Sequence, residues 1–310
     1  MARIARTKSL ATNQIVHGDA LAVLQQWPGN MVDCIVTSPP YWQQRDYRGK
    51  STQVGREATP AGYISRLTAI FGECRRVMKP TGTLWLVIGD KYDGGEQLGL
   101  PWRVALALID DGWILRSDCI WHKPNAMPSS TKSRPTTDHE YVFFFTKSKD
   151  YHYDADAIRE PHVTFSDKSR MRGGRRHFGI RGGTPEVGKN GGSNNLHDAR
   201  WDQAFHPLGR NKRTVWSIPL SKFRDAHFAV FPESLVETCI LAGCPASGLA
   251  LDPFVGSGTV PLVARRLGRD YLGIDCVAEY CQMARKRLKA ATSGFGLARS
   301  TSPAPYRARS

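Results

Sequence analysis

Four consecutive residues, Ser38-Pro39-Pro40-Tyr41, have the types and spacing that most directly suggest chemistry. Proline has no N–H and a fixed φ, so two in succession end a strand as a stiff corner. The Ser38 hydroxyl and the Pro39 carbonyl become hydrogen-bond acceptors on a rigid frame, with Tyr41 and Trp42 following. An exocyclic amine of a nucleobase is a poor nucleophile, because its lone pair is delocalised into the ring. Acceptors aimed at its two N–H bonds draw that lone pair back onto nitrogen. Fixed in advance, they act like an oxyanion hole of reversed sign, where one contact is worth about 2.7–4 kcal/mol. Tyr41, and Trp42 with it, would stack on a base taken out of its duplex. A strand-end turn or a polyproline ligand accounts for the same four letters.

A second candidate lies near the C-terminus. An apolar strand, Gly248 to Leu251, runs into Asp252-Pro253-Phe254-Val255-Gly256-Ser257-Gly258-Thr259, and a helix begins near Val260-Pro261. Strand Tyr271 to Ile274 then ends in Asp275. Strand, glycine turn, helix, strand and acid is the layout of a nucleoside-binding βαβ unit, with Asp275 placed for ribose hydroxyls. The third glycine of a dinucleotide fingerprint is replaced by Pro261, which argues against a pyrophosphate and for a smaller adenosyl ligand. Asp19, just past the short strand Ile15-Val16-His17, either accepts from a ligand over the sheet edge or caps the next helix.

These segments need a frame. Val32 to Val36 reads as a buried strand feeding the proline corner. The other expected helices are Ala20–Trp27, Tyr63–Lys79, Pro101–Asp110, Glu233–Ala242 and Val277–Ala290, and the other expected strands Thr83–Ile88, Trp113–Trp121, Tyr141–Phe145 and a short one at 214–219. Pro80-Thr81-Gly82 is expected to end the second helix as a turn. Alternation of strands and helices means an α/β domain with a largely parallel sheet, with ligands at the carboxyl ends of its strands. Asp19, Ser38 and Asp90 fall there. His139-Glu140 enters the last strong strand, either as a simple strand-entry turn or, by the family resemblance set out below, as a motif near the target base.

The composition points to a polyanionic partner. Lys and Arg exceed Asp and Glu by 15 over 310 residues, and nucleic acid is the first choice. Residues 155–213 concentrate the signal: twelve Lys or Arg against six Asp or Glu, with eight glycines between Gly173 and Gly192. This is either a disordered basic loop or a DNA-reading insert. In the second reading Arg170, Arg172, Arg175, Arg176, Arg181, Lys212 and Arg213, together with Trp42, contact DNA. The seven cysteines include no C-x-x-C and read as buried thiols of a reducing compartment. No histidine stands at zinc-ligand spacing, so no metal is implied. No run reaches membrane-spanning length and residues 1–13 carry no signal-peptide core, so a cytoplasmic protein is expected. Residues 1–13 and 292–310 are expected to be flexible tails, with 14–154 and 214–291 forming the catalytic domain.

Taken together, the chain resembles the S-adenosylmethionine-dependent amino DNA methyltransferases over most of residues 14–290. Ser38-Pro39-Pro40-Tyr41 looks like that family's catalytic tetrapeptide, and Asp252 to Thr259 like its cofactor loop. His227 to Pro232 is similar to a further cofactor element, bringing in Phe231 and Pro232. Asp19 matches the acid that family members turn toward the cofactor's adenine. The tetrapeptide precedes the basic insert and the cofactor loop comes last, an order that resembles the beta group. The resemblance implies a class I methyltransferase-like Rossmann sheet with helices on both faces, a circularly permuted motif order and an inserted target-recognition region. It implies S-adenosyl-L-methionine as cofactor, double-stranded DNA as partner, and methylation of cytosine N4 or adenine N6. Ser38 tilts that choice slightly to cytosine, because adenine enzymes often carry Asp there. Implied too are a bacterial or phage setting at the nucleoid, a homodimer, and either a cognate restriction endonuclease or an orphan epigenetic role. Two rivals stand beside it: a nucleotide-dependent oxidoreductase, and a DNA-binding protein with a dead methyltransferase fold.

Overall fold

The structure is a computed structural model that describes residues 10–44, 53–161, 208–220 and 232–294. Two compact units partition the chain, Asp154–Arg213 and the remainder. In the larger unit the chain runs β1 (Gln14–His17), α1 (Ala20–Gln25), β2 (Val32–Thr37), α2 (Pro60–Val77) and β3 (Met78–Ile88). A small hairpin, β4 (Tyr92–Asp93) and β5 (Glu96–Gln97), leads to α3 (Leu100–Asp110), β6 (Ile114–His122) and β7 (His139–Thr146). After the second unit come β8 (Val215–Ser217), α4 (Glu233–Gly243), β9 (Leu249–Asp252), α5 (Thr259–Arg266), β10 (Asp270–Asp275) and α6 (Ala278–Gly294).

Eight of these strands form one sheet in the order β1-β10-β9-β2-β3-β7-β6-β8. Every pairing is parallel except those made by β7, which is antiparallel to β3 and β6. The carboxyl ends of the other strands and the amino end of β7 therefore share one edge. Neighbouring residues of a strand face opposite sides, and β3 displays this clearly. Leu84, Leu86 and Ile88 enter the core formed with Leu67, Ile70, Phe71, Val104 and Leu108 of α2 and α3. Thr83 and Trp85 face the other way, where Gly243 of α4 lies so close that a Cβ would be 2.4 Å from Thr83 Oγ1. Both faces of the sheet are thus covered by helices.

β2 is buried at all six positions, including Asp33. A buried carboxylate needs partners. Lys79 Nζ donates to both Asp33 oxygens at 2.8 and 2.9 Å, and Leu249 N to one of them at 2.9 Å. These bonds tie β2 to β3 and β9.

Both ends of α2 depart from the expectation, and α6 runs on to Gly294, into the expected tail at 292–310. α2 starts at Pro60, because Thr59 Oγ1 accepts from Gly62 N at 3.1 Å and caps it, with proline in the first turn. It also ends at Val77, and Pro80-Thr81-Gly82 belongs to the start of β3, exposed at Pro80 and Thr81, rather than to a turn. Proline is tolerated near a strand's beginning, where its missing N–H breaks no central ladder. All seven cysteines are free, and six are buried while Cys276 is exposed. Among the described residues no helix is long and apolar enough to cross a membrane.

In the smaller unit, a 3₁₀ turn (Asp156–Ile158) precedes a two-way backbone bridge between Glu160 and Arg210 at 2.9 and 2.8 Å.

Candidate active site

β2 and β9 are adjacent parallel strands, with Cys34 opposite Ala250 and Ile35 opposite Leu251. The proline corner leaves β2 and the glycine loop leaves β9 at the same edge of the sheet. A direct bond joins them: Thr37 Oγ1 donates to Asp252 Oδ1 at 2.7 Å.

The corner is braced from beneath. Pro39 is buried, and Tyr63 Oη of α2 donates to the Pro40 carbonyl at 3.0 Å. Gln43 N donates to Gly55 O at 2.7 Å. Trp42 does not present its ring to a ligand. Its side chain is buried at 4% exposure, and the indole N–H donates to Glu57 O at 2.8 Å. An aromatic ring buried with its polar atom satisfied is a packing element, so the expected DNA contact at Trp42 is corrected to a strut of the corner.

Tyr41 is half-buried and held at its hydroxyl. It donates to Glu140 Oε2 at 2.6 Å and accepts from Ser38 Oγ at 3.3 Å. Gly89, at the end of β3, makes room for the ring, since a Cβ there would lie 2.9 Å from Tyr41 Cε2. Burial, with the Glu140 carboxylate next, pushes the Tyr41 phenol well above its usual pKa, so it stays protonated. Glu140 in turn pairs with Lys123 Nζ. Of the two readings of His139-Glu140, Glu140 belongs to the cluster around the tetrapeptide.

The glycine loop is wired internally. Asp252 Oδ1 also accepts from Phe254 N at 3.0 Å. Asp275, expected to face ribose hydroxyls, accepts from Gly256 N and from Val277 N, each at 2.9 Å. It clamps the glycine turn onto β10, and each oxygen keeps a further lone pair for a hydroxyl. Gly258 N donates to Val255 O at 2.8 Å. Arg287 of α6 donates to Ser257 O and Oγ, both at 2.9 Å, and to Thr259 Oγ1 at 3.4 Å. Glu233 lies 3.6 Å from the same guanidinium, just after Pro232, the residue that precedes α4. Asp19 caps α1 by accepting from Ala22 N and takes a bond from Arg66 Nη2, both at 3.1 Å, so of its two readings the capping one is observed. Phe231 lies outside the described residues.

The loop suits a small cationic nucleoside better than a dinucleotide. The Gly256 and Gly258 amides, which could have cradled a pyrophosphate, are both bonded within the protein. Acids flank the turn at Asp19, Asp252 and Asp275. Gly256 has φ +48°, and a Cβ there would meet nothing nearer than Phe254 O at 3.9 Å, so there is room over the backbone. The half-buried Phe254 packs against the core.

Burial, with the Asp275 charge adding to it, raises the Asp252 pKa to about 7. The folded chain therefore holds this proton more tightly than the unfolded chain, whose Asp titrates near ~3.9. The sign follows. Stability falls as pH rises from about 4 through about 7, and above that the full cost of a buried carboxylate is present. Asp252→Asn, which keeps the acceptor oxygen, removes the titration. The Tm of the variant minus that of wild type should grow between about pH 5 and pH 8 by roughly 5 °C or more. A pH-independent difference in scanning calorimetry contradicts this assignment.

Of the expected DNA contacts, Arg170, Arg172, Arg175, Arg176 and Arg181 lie outside the described residues. Lys212 is half-buried and ion-paired with Glu160 Oε1 at 3.3 Å. Arg213 is exposed. Lys123, Gly89, Tyr63 and Arg287 support the site without being among the expected residues, and Glu140 does so as one of the two readings given to His139-Glu140. Only Glu140 had a local signal, its place at the mouth of an apolar strand.

A parallel Rossmann-type sheet with an acceptor corner and an adenosyl-type glycine turn on neighbouring strands defines a class, the S-adenosylmethionine-dependent methyltransferases. Comparison with known proteins narrows it. The N6/N4 methyltransferase family model, described as DNA methylase, matches residues 32–286. Type II methyltransferase M.Cfr9I of Citrobacter freundii is 38% identical over 318 residues, spanning 93% of this chain and 92% of that protein. Among solved structures, a Thermus thermophilus protein titled a DNA modification methylase, complexed with S-adenosyl-L-methionine, has a TM-score of 0.58 at 25% identity. That match covers 91% of this chain and 95% of the other. The PvuII DNA methyltransferase, titled cytosine-N4-specific, has a TM-score of 0.63 at 20% identity, covering 89% of this chain and 86% of that one. The chain belongs to the N6/N4 DNA methylase family: it is a DNA methyltransferase that uses S-adenosylmethionine. The oxidoreductase reading is thereby set aside.

Proposed function

We propose that this chain methylates the N4 amine of a cytosine flipped out of double-stranded DNA. The observation that carries the reading is Ser38. It stands at the head of a braced corner, one strand away from the glycine loop, with its hydroxyl proton engaged by Tyr41. Serine where adenine enzymes often carry Asp is what favours cytosine over adenine.

The residues would work as follows. Ser38 Oγ and the Pro39 carbonyl accept the two amine protons and return the lone pair to nitrogen, and Tyr41 supports the base. Phe254, Gly256 and Ser257 hold the cofactor, with Asp275 and, through the lone pairs its cap leaves free, Asp19 as acceptors toward it. When bound, S-adenosylmethionine supplies an electrophilic methyl on a sulfonium whose charge is lost on transfer. Pro39 in the corner and Val255 in the glycine loop are buried and apolar, and a water-poor site favours that loss of charge.

The basic stretch with Arg170, Arg172, Arg175, Arg176 and Arg181 would read the target sequence, with Arg213 on the backbone phosphates. Similar chains bear the name Type II methyltransferase. By that likeness we place this enzyme in a bacterial or phage restriction-modification system beside an endonuclease of the same specificity.

The test is chemical. Random-sequence DNA is methylated in vitro from methyl-labelled cofactor, digested to nucleosides and resolved by mass. N4-methyldeoxycytidine is expected. N6-methyldeoxyadenosine overturns the choice of base, and 5-methyldeoxycytidine overturns amine chemistry altogether.

A further inference from the structure

Serine is an ambivalent group at the position that meets the target amine. Its oxygen accepts, but its proton also donates. A serine proton pointed at the amine nitrogen would bind the very lone pair that must attack. A carboxylate in that place has no such failing, because it only accepts. A serine enzyme therefore needs something that turns the proton away.

The hydrogen bonds around Tyr41 form such a device. Lys123 is a donor only, and it pairs with Glu140 Oε1. Ionised Glu140 is an acceptor only, so Tyr41 must donate to its Oε2, at 2.6 Å. With its proton committed there, the Tyr41 oxygen has lone pairs alone to offer Ser38, 3.3 Å away. Ser38 must then donate to Tyr41, which leaves its lone pairs for a ligand. The direction of the whole row is set at Glu140, which lies 99 positions along the chain from Tyr41. We propose that Glu140 is a positioning residue that, acting through the Tyr41 hydroxyl, fixes Ser38 as a pure acceptor for the amine. The proposal rests on the reading that Ser38 holds that amine.

Glu140→Gln tests the direction of the row rather than its presence. Lys123 still needs an acceptor and takes the amide oxygen. The amide NH₂ is left facing Tyr41, whose proton is then turned toward Ser38, and the serine proton toward the amine. Tyr41→Phe cuts the row by removing one oxygen. Methyl transfer to unmethylated plasmid DNA is followed under single-turnover conditions with the full chain and saturating cofactor. S-adenosylhomocysteine affinity and DNA affinity are measured alongside.

Glu140→Gln should slow transfer roughly 10–100-fold, as expected for a hydrogen bond to a charged group, and leave both affinities within about twofold. Tyr41→Phe should also slow it. In the Tyr41→Phe background Glu140→Gln should have no further effect, because the row through which it acts is gone.

Equal slowing by Glu140→Gln in both backgrounds makes its role merely structural and overturns the proposal. So does a wild-type rate in Tyr41→Phe, a result that needs no Glu140 variant to fold. Ser38→Ala separates the two levels of argument. If Ser38→Ala keeps the wild-type rate, the reading of the site itself fails. If it is slow while Tyr41→Phe is unimpaired, only the role of Glu140 fails.

Discussion

Ser38→Ala is expected to lower single-turnover methyl transfer by roughly 10²–10³-fold, the loss seen when one preorganised contact to a reacting group is deleted. The argument rests on how little else the substitution touches. The frame of the corner is held by Pro39, by the bond from Tyr63 to Pro40 O and by the seat of Trp42 on Glu57, none of which involves the serine side chain. Tyr41 keeps its bond to Glu140. The link between corner and cofactor loop runs from Thr37 to Asp252, one residue upstream. The variant should therefore fold, bind S-adenosylhomocysteine within about twofold of wild type, and fail in the chemical step. Calorimetric titration beside the rate measurement decides the matter. A parallel loss of cofactor affinity would mean that the corner had collapsed and that the rate says nothing about acceptance of the amine.

The second large effect is expected at Gly258. Its φ is +85°, a left-handed conformation that costs an L-residue about 1–2 kcal/mol. A Cβ there would also lie 2.8 Å from Ala284 Cβ and 3.0 Å from Ala284 Cα of α6. Those neighbours are a helix backbone and its shortest side chain, so nothing can swing aside. Strain and overpacking together should cost Gly258→Ala about 2–5 kcal/mol. The Tm should fall by roughly 5–15 °C, and cofactor affinity should fall with it as the turn is pushed off α6. Gly256→Ala makes the informative contrast. Its φ of +48° carries backbone strain, but its Cβ meets no protein atom nearer than 3.9 Å. That variant should lose only the strain of about 1–2 kcal/mol and still lose cofactor affinity, because the methyl enters the space over the turn. Thermal melts with and without S-adenosylhomocysteine separate the two. Equal stability loss at both positions would show that contact with Ala284 does not limit the turn.

The division of labour between these glycines illustrates what one-dimensional reading reaches. Asp252 to Thr259 announced a tight glycine turn between strand and helix through its spacing alone, since turn chemistry is set by residues adjacent in the chain. Which glycine faces a helix and which faces open space depends on where α6 lies, and α6 begins nineteen residues after Thr259, at Ala278. Trp42 makes the same point in the other direction. Its place after Tyr41 suggested a second stacking ring, yet the 53–57 segment folds under the corner and captures it. An aromatic side chain has no preference for ligand or core until the packing around it is complete.

The alternation of apolar strands and amphipathic helices, the proline corner and the glycine turn were legible in the amino-acid sequence because each is a local matter of periodicity, fixed φ and missing N–H groups. The tertiary structure alone decided the contacts that make them one site. Thr37 meets Asp252 across 215 positions and Tyr41 meets Glu140 across 99. Those meetings follow from β9 pairing beside β2 and from β7 running against β3. Strand order is chosen by how the whole sheet buries its two faces, a property that no short stretch of chain contains.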